Sequence, residues 1–451
     1  MSDIIAAIAT GRAPCAIGIL RLSGPGCAAL TGRVFTPKQP FADAPDRRLV
    51  LGLLHDRQGR VIDECLGVVC RAPHSYTGEE TVELQCHGSP AMLAAGLEAL
   101  LAAGARQAGP GEFTRRAFLN GKLDLTQAEA VVDLIDAETA DAAANAAGQL
   151  GGALKRAIEP VYDGLTDLCS HFHAVLDYPD EDIEDFGAAE LSGALDRAGV
   201  ALRELLATYE KGRHLRQGVR AVLLGKPNAG KSSLLNRLAG YDRVIVTDIA
   251  GTTRDTVEEP VRVGRVLLRL TDTAGIREAG DAIEALGVAR SEQAAREAEL
   301  ALFVCDASQP LTDEDRRAIE AAKCAPRSLA LCNKSDLPAA VSPDELPFDT
   351  VLTVSARTGA GLDALPALLE GWFLGGNACD GSLLTNPRQF GALDRASRAI
   401  ARAKTGLGLG VTPDAVLTDV EEAMAALGEV TGRTVREDIT NRIFERFCVG
   451  K

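Results

Sequence analysis

The chain has 451 residues, 46% hydrophobic and 25% charged, the profile of a globular protein of about two to four domains rather than a disordered chain. Its 48 basic and 63 acidic residues give a formal net charge of −15, which argues mildly against a nucleic-acid partner held by overall charge; Arg115-Arg116 with Lys122 is the candidate for a local basic patch. No apolar run reaches the ~18 residues of a membrane span, the N-terminus lacks a basic signal-peptide opening, and the 11 cysteines stand without a Cys-x-x-Cys pair, so a cytoplasmic chain with neither disulfide scaffold nor zinc ribbon is expected.

Residues 1–118 mix strands and turns. Ile17 to Leu22 and Val61 to Cys70 read as short strands, Thr81 to Cys86 alternates like a half-buried strand, and a helix opens at Pro90. This predicts a small α+β domain. Residues 119–216 are rich in Ala, Leu, Glu and Asp at helical spacing, and the acidic run Asp180 to Asp185 that interrupts them reads as a solvated loop, with a cation site as the sharper alternative. Residues 217–378 alternate apolar runs with helices, as a mostly parallel α/β sheet does, and helical texture returns over 379–451. One helical domain, split in sequence by an inserted α/β domain, is the simplest arrangement.

The strand Val219 to Leu224 runs into Gly225-Lys226-Pro227-Asn228-Ala229-Gly230-Lys231-Ser232, which fits G-x-x-x-x-G-K-[ST] in the strand–loop–helix setting that motif needs. Gly225 and Gly230 let backbone N–H groups wrap phosphates, and the helix that follows from Ser233 turns its positive end to them. Lys231 neutralises the β- and γ-phosphates, and the Ser232 hydroxyl can ligate Mg²⁺.

Further segments follow in the order of a guanine-nucleotide site. Thr247-Asp248-Ile249-Ala250-Gly251-Thr252-Thr253 stands where a first switch loop belongs, with Thr253 as a second magnesium hydroxyl. Asp272-Thr273-Ala274-Gly275 follows an apolar strand: Asp272 can hold magnesium through water and the Gly275 N–H can sense the γ-phosphate. In Asn333-Lys334-Ser335-Asp336 the Asp336 carboxylate can accept from guanine N1–H and N2–H₂, a donor pair that adenine lacks. Ser355-Ala356-Arg357 offers backbone to the guanine oxygen. The assembly resembles the translation-factor-related P-loop GTPases, with GTP as ligand.

Ras-like proteins place a glutamine after the D-x-x-G glycine, but Ile276 stands here and cannot orient water. Glu278, Asp281 and Glu284 are the nearby carboxylates, and chemistry alone does not choose among them. Arg254 and Arg277 are candidate arginine fingers. The Asn228 side chain can instead ligate a monovalent cation beside the phosphates, supplying the charge a finger would.

Ser75-Tyr76-Thr77-Gly78-Glu79-Glu80, the run from Gly111-Glu112-Phe113-Thr114-Arg115-Arg116 to Asp124, and the terminal Cys448-Val449-Gly450-Lys451 flank these motifs. With them, the whole chain resembles the bacterial tRNA uridine-modification GTPase family, which builds a carboxymethylaminomethyl group on the wobble uridine. The resemblance implies an N-terminal domain that dimerises and binds a 5-formyltetrahydrofolate-type folate, with Arg21, Glu83, Lys122 and Lys451 as contacts. It implies a potassium site at Asn228, Thr247, Ile249 and Thr252, and Glu284 as the glutamate acting on water. It also implies a FAD- and NADH-dependent partner protein, hence a homodimer that joins its partner as a heterotetramer, acting on tRNA. The stretch Gly11 to Ala16 departs from the family's glycine-rich pattern, and Cys448 is a candidate thiol. A GTP-switched RNA-binding factor of ribosome assembly is the alternative in a different class, and a stand-alone folate-dependent transferase is a third.

Overall fold

The computed structural model describes residues 3–11, 13–37, 40–177, 188–241, 258–271, 292–375, 380–433, 443–445 and 447–450. Contacts divide the chain into two units: Met1–Val132, Gln149–Ala194 and Arg398–Lys451 form one, and Asp133–Gly148 with Leu195–Ser397 the other.

The first unit is built on a seven-stranded sheet of β1 (Ile5–Ile8), β2 (Cys15–Ser23), β3 (Phe35–Pro37), β4 (Val50–His55), β5 (Val61–Cys70), β6 (Thr81–Gly88) and β7 (Arg106–Gln107), in the order β3-β4-β5-β6-β2-β1-β7. All neighbours are antiparallel except β1 and β7. Alternation decides the faces. Leu20, Leu22, Leu54 and Leu84 point into a core completed by Phe35, Phe41 and Leu100 of the helix Pro90–Ala102. Phe35 and Phe41 meet edge to face with ring centroids 4.9 Å apart. On the solvent side Ile17, Leu51, Leu53 and Val61 are exposed. The helices Ala153–Asp177 and Pro413–Thr431 pack along one another. The chain end is docked: Phe444 and Phe447 join Ala128 and Val131 in an apolar cluster, and Val449 bridges to Pro110.

The second unit carries a six-stranded sheet of β8 (Val219–Leu224), β9 (Glu258–Val263), β10 (Val266–Thr271), β11 (Leu300–Asp306), β12 (Arg327–Asn333) and β13 (Val351–Thr353), in the order β13-β12-β11-β8-β10-β9. Every pair is parallel except β9 with β10. Both faces are covered: Val219, Ala221 and Leu223 fall in one apolar cluster while Val222 and Leu224 fall in the other. Continuous apolar strands are what such double burial demands. At the end where β11 begins, Glu299 accepts from Arg213 and lies 3.1 Å from His214 Nε2, both residues of the helix Tyr209–Gln217. Burial opposes its charge, but His214, Arg213 and the Arg220 N–H outweigh it and pull the Glu299 carboxyl down to about 2.

The α+β, helical and P-loop α/β character expected from the sequence is the architecture observed. One expectation is overturned. Arg116 is only 8% exposed, and its guanidinium meets Asp3, Glu79 and Glu112, so it is spent on an internal network and cannot serve a basic patch. The acidic run 180–185 lies outside the described residues.

Candidate nucleotide site

The parallel strands β8 and β12 end in the loops that carry the motifs, at the carboxyl edge where open α/β sheets bind ligands. The loop after β8 turns through two glycines with left-handed backbones. Gly225 has φ 143°, and a Cβ there would sit 2.1 Å from the Val304 carbonyl oxygen of β11. Gly230 has φ 97°, and a Cβ there would meet Asn333 Nδ2 at 2.1 Å. No other residue fits either place. Asn228 between them has φ 63°, a conformation that asparagine tolerates. The helix Lys231–Tyr241 starts directly after. Lys231 Nζ donates to the carbonyls of Gly225 at 2.5 Å and Lys226 at 2.8 Å, so the ammonium is held across the mouth of the loop. A glycine-floored loop, a helix N-terminus and a cation held over it form a cradle that fits a polyphosphate with its magnesium.

Asn333, 2% exposed at the end of β12, ties this loop to the base-recognition loop. Its Nδ2 donates to the Ala229 carbonyl at 2.9 Å, and its Oδ1 accepts from the Ala356 N–H at 2.9 Å. The Ser335 N–H donates to the Val354 carbonyl at 3.1 Å. Ser355 Oγ donates to Asp336 Oδ1 at 2.6 Å, and Arg357 Nη1 lies 3.7 Å from Asp336 Oδ2. The Ser355 hydrogen bond is the chief cause that lowers the Asp336 carboxyl below its ordinary range, so it stays an ionised acceptor. Such an acceptor suits the adjacent N–H groups of guanine. Lys334, with φ 68°, pairs with the buried Asp306 at 2.6 Å, and Ser308 caps the same carboxylate at 2.6 Å. Asp306 carries no motif, and no local signal ties it to Lys334 across 28 residues.

The structure thus brings Asn228, Ala229, Gly230, Lys231, Ser232, Ser233, Asn333, Lys334, Asp336, Ser355, Ala356 and Arg357 onto loops or helix starts along one sheet edge. Thr247 to Thr253, Asp272 to Gly275, Glu284 and Lys451 lie outside the described residues, as do Arg254, Ile276, Arg277, Glu278 and Asp281.

In the first unit Arg21 and Glu83 face each other across β2 and β6, 2.8 Å apart from Nε to Oε1. The Arg21 guanidinium lies 5.5 Å from the Tyr76 ring centre and 5.8 Å from that of Phe113. Its Nη1 donates to the Gly450 carbonyl at 3.4 Å. Tyr76 and Phe113 therefore flank Arg21, which their places within Ser75 to Glu80 and Gly111 to Asp124 do not reveal in the sequence. Lys122 is exposed and donates from Nζ to the Pro73 carbonyl at 3.2 Å. Cys448 is exposed, and its carbonyl accepts from the Gly111 N–H at 3.2 Å.

Two family profiles match. One is described as GTP-binding protein TrmE N-terminus and spans residues 4–122; the other is described as MnmE helical domain and spans 125–448. Relatives named tRNA modification GTPase MnmE match end to end. That of Roseiflexus sp. (strain RS-1) is 45% identical, covering 100% of this chain and 99% of its own length. Those of Chloroflexus aurantiacus and Aquifex aeolicus are 43% and 41% identical, each covering 100% of both chains. The chain belongs to the MnmE family of tRNA modification GTPases. Membership in this family of GTP hydrolases explains why the P-loop segment lies inside the span of the helical-domain profile, as an insertion would. Among the described residues no helix is long and apolar enough to cross a membrane.

Proposed function

We propose that this chain hydrolyses GTP to GDP and, with a FAD- and NADH-dependent partner protein, drives addition of a carboxymethylaminomethyl group at C5 of the wobble uridine of tRNA. The carrying observation is Asn333, whose one amide joins the phosphate loop at Ala229 to the guanine loop at Ala356 and so holds both halves of a guanine-nucleotide site in fixed register. Membership of the MnmE family supports the tRNA destination.

In this reading Lys231 acts on the β- and γ-phosphates, Ser232 and Thr253 hold magnesium, and Thr247 to Thr253 with Asp272 to Gly275 contribute to binding GTP. Magnesium, when bound there, would supply positive charge to the phosphates. Asn228, Thr247, Ile249 and Thr252 hold potassium, and Glu284 acts on the attacking water. Arg21, Glu83, Lys122 and Lys451 hold a 5-formyltetrahydrofolate-type folate, a reading supported by the aromatic rings of Tyr76 and Phe113 beside Arg21. The exposed apolar side chains Ile17 of β2 and Leu51 and Leu53 of β4 support a homodimer, and with the partner a heterotetramer. The working domain bounds are 1–118, 119–216, 217–378 and 379–451, and the compartment is the cytoplasm.

The test compares the initial rate of GTP hydrolysis by the purified chain in potassium chloride and in sodium chloride at equal ionic strength. Stimulation by potassium of about tenfold or more supports cation-assisted catalysis. Equal slow rates reject the potassium site while leaving hydrolysis in place. Modified uridine should form on tRNA only when the flavoprotein partner and NADH are both added; product without them rejects the partnered reading.

A further inference from the structure

Lys226 occupies a variable position of the phosphate-loop motif, where no role is assigned by the motif itself. Its side chain nevertheless turns inward. Lys226 Nζ lies 2.9 Å from Asp315 Oδ2, with the lysine side chain 12% exposed and the aspartate fully buried. An ammonium held this far from water beside a single buried carboxylate is an uncommon use of lysine.

Asp315 is itself held. It sits at the third position of the helix Asp313–Ala322, where its Oδ2 accepts from the Thr312 N–H at 2.9 Å and from Thr312 Oγ1 at 2.7 Å. Ile319, Ala321 and Ala322 root that helix in the apolar cluster containing Val222 and Leu224 of β8. Asp315 Oδ1 is buried without a hydrogen-bond partner, so the lysine is the one cation neutralising this carboxylate among the described residues. Lys226 therefore hangs from a rigid post. Its own carbonyl, in turn, is one of the two that receive the Lys231 ammonium, at 2.8 Å. Pro227, next in the chain, confines Lys226 to extended backbone and stiffens the link between the anchored side chain and that carbonyl.

We infer that Lys226 and Asp315 are positioning residues for the nucleotide: the buried pair fixes the first turn of the phosphate loop and, through the Lys226 carbonyl, sets where Lys231 meets the phosphates. The relay runs from Thr312 through Asp315 and Lys226 to Lys231, across 89 residues of sequence between the two members of the pair. This inference rests on the reading of the site as one for GTP.

The experiment measures the affinity of the purified full chain for fluorescent GDP and GTP analogues, with folding of each variant checked by circular dichroism. Lys226→Met and Asp315→Asn should each weaken both nucleotides by about tenfold, because the β-phosphate contact of Lys231 is common to the two. Lys226→Arg, which keeps the charge and the reach, should bind within about threefold of wild type. The Lys226→Met/Asp315→Asn double variant should be no weaker than the worse single one, because both changes break one contact. Wild-type affinity in the folded single variants, or full additivity in the double variant, overturns the inference. A merely structural pair would lower the unfolding temperature and leave affinity below that temperature unchanged, which overturns it equally. If Lys226→Met does not fold, Asp315→Asn decides alone, since an asparagine keeps an acceptor for Thr312. Failure of the wild-type chain to bind either analogue would instead reject the GTP reading itself.

Discussion

The two candidate sites are assembled in opposite ways. The nucleotide site is made by contiguous loops at strand ends, and much of its chemistry is main-chain: glycine-permitted turns, a helix start, and carbonyls that position Lys231. The Arg21 site is made by side chains that converge from afar. Arg21 meets Glu83 across 62 residues and the Gly450 carbonyl across 429. A site written in one loop leaves a motif, because the backbone path itself constrains which residues fit. A site assembled by packing leaves single charged residues that look like any surface charge.

The sharpest way to break this comparison is to remove one central cation from each site. Lys231→Ala should lower the rate of GTP hydrolysis by about a hundredfold or more, because the preorganised charge over the phosphates goes with it. Arg21→Ala should leave that rate within about twofold. A large loss from Arg21→Ala would mean that the sites are coupled and that treating them as separate is wrong. Next in size is Asp336→Asn. The amide offers a donor where the carboxylate accepted, so GTP affinity should fall by about fiftyfold, roughly 2 kcal/mol, while the triphosphate of xanthosine gains. Competition binding with the two nucleotides reads this directly, and an unchanged base preference would remove Asp336 from the base contact.

The same contrast explains what was legible in the sequence. Val219 to Leu224 and Val61 to Cys70 appear as strands within their expected bounds, because apolar runs between turns are a local signal. β1 and β7 are not local: four and two residues are too short to carry a pattern, and they exist because β1 pairs with β2 and β7 with β1. The phosphate loop was readable residue by residue. Its supports were not, since Asp306 and Asp315 reach Lys334 and Lys226 only once β11 and the helix Asp313–Ala322 are in place. The Arg115-Arg116 patch misled for the same reason. Charges counted along the chain do not reveal that Asp3 and Glu79, 113 and 37 residues away, fold onto Arg116.

A smaller effect sharpens the reading of the convergent site. Arg21→Lys keeps the charge but loses the planar fork that pairs with Glu83 and lies beside Tyr76 and Phe113, so it should not restore what Arg21→Ala removes. Titration with 5-formyltetrahydrofolate should give about tenfold weaker binding for both variants. Full rescue by lysine would reduce Arg21 to a point charge and leave the two rings without a part in binding.

The smallest effect separates site from scaffold within one sheet. β11 runs from Leu300, beside Glu299, to Asp306, beside Lys334, so one strand has a structural end and a ligand end. Glu299, held at about 2 against an ordinary 4.5, has a depressed folded pKa. Its stabilising effect is therefore fully present above pH 4.5 and is lost as pH falls from there toward 2. Glu299→Gln should lower unfolding stability at neutral pH by about 1–3 kcal/mol, and the gap from wild type should close across that acid window. Nucleotide affinity at neutral pH should stay at the wild-type value, since the change sits at the amino edge of the sheet. A loss of affinity in proportion to the loss of stability would show that the parallel sheet transmits strain from its closed edge to the loops, and that its two ends are not independent.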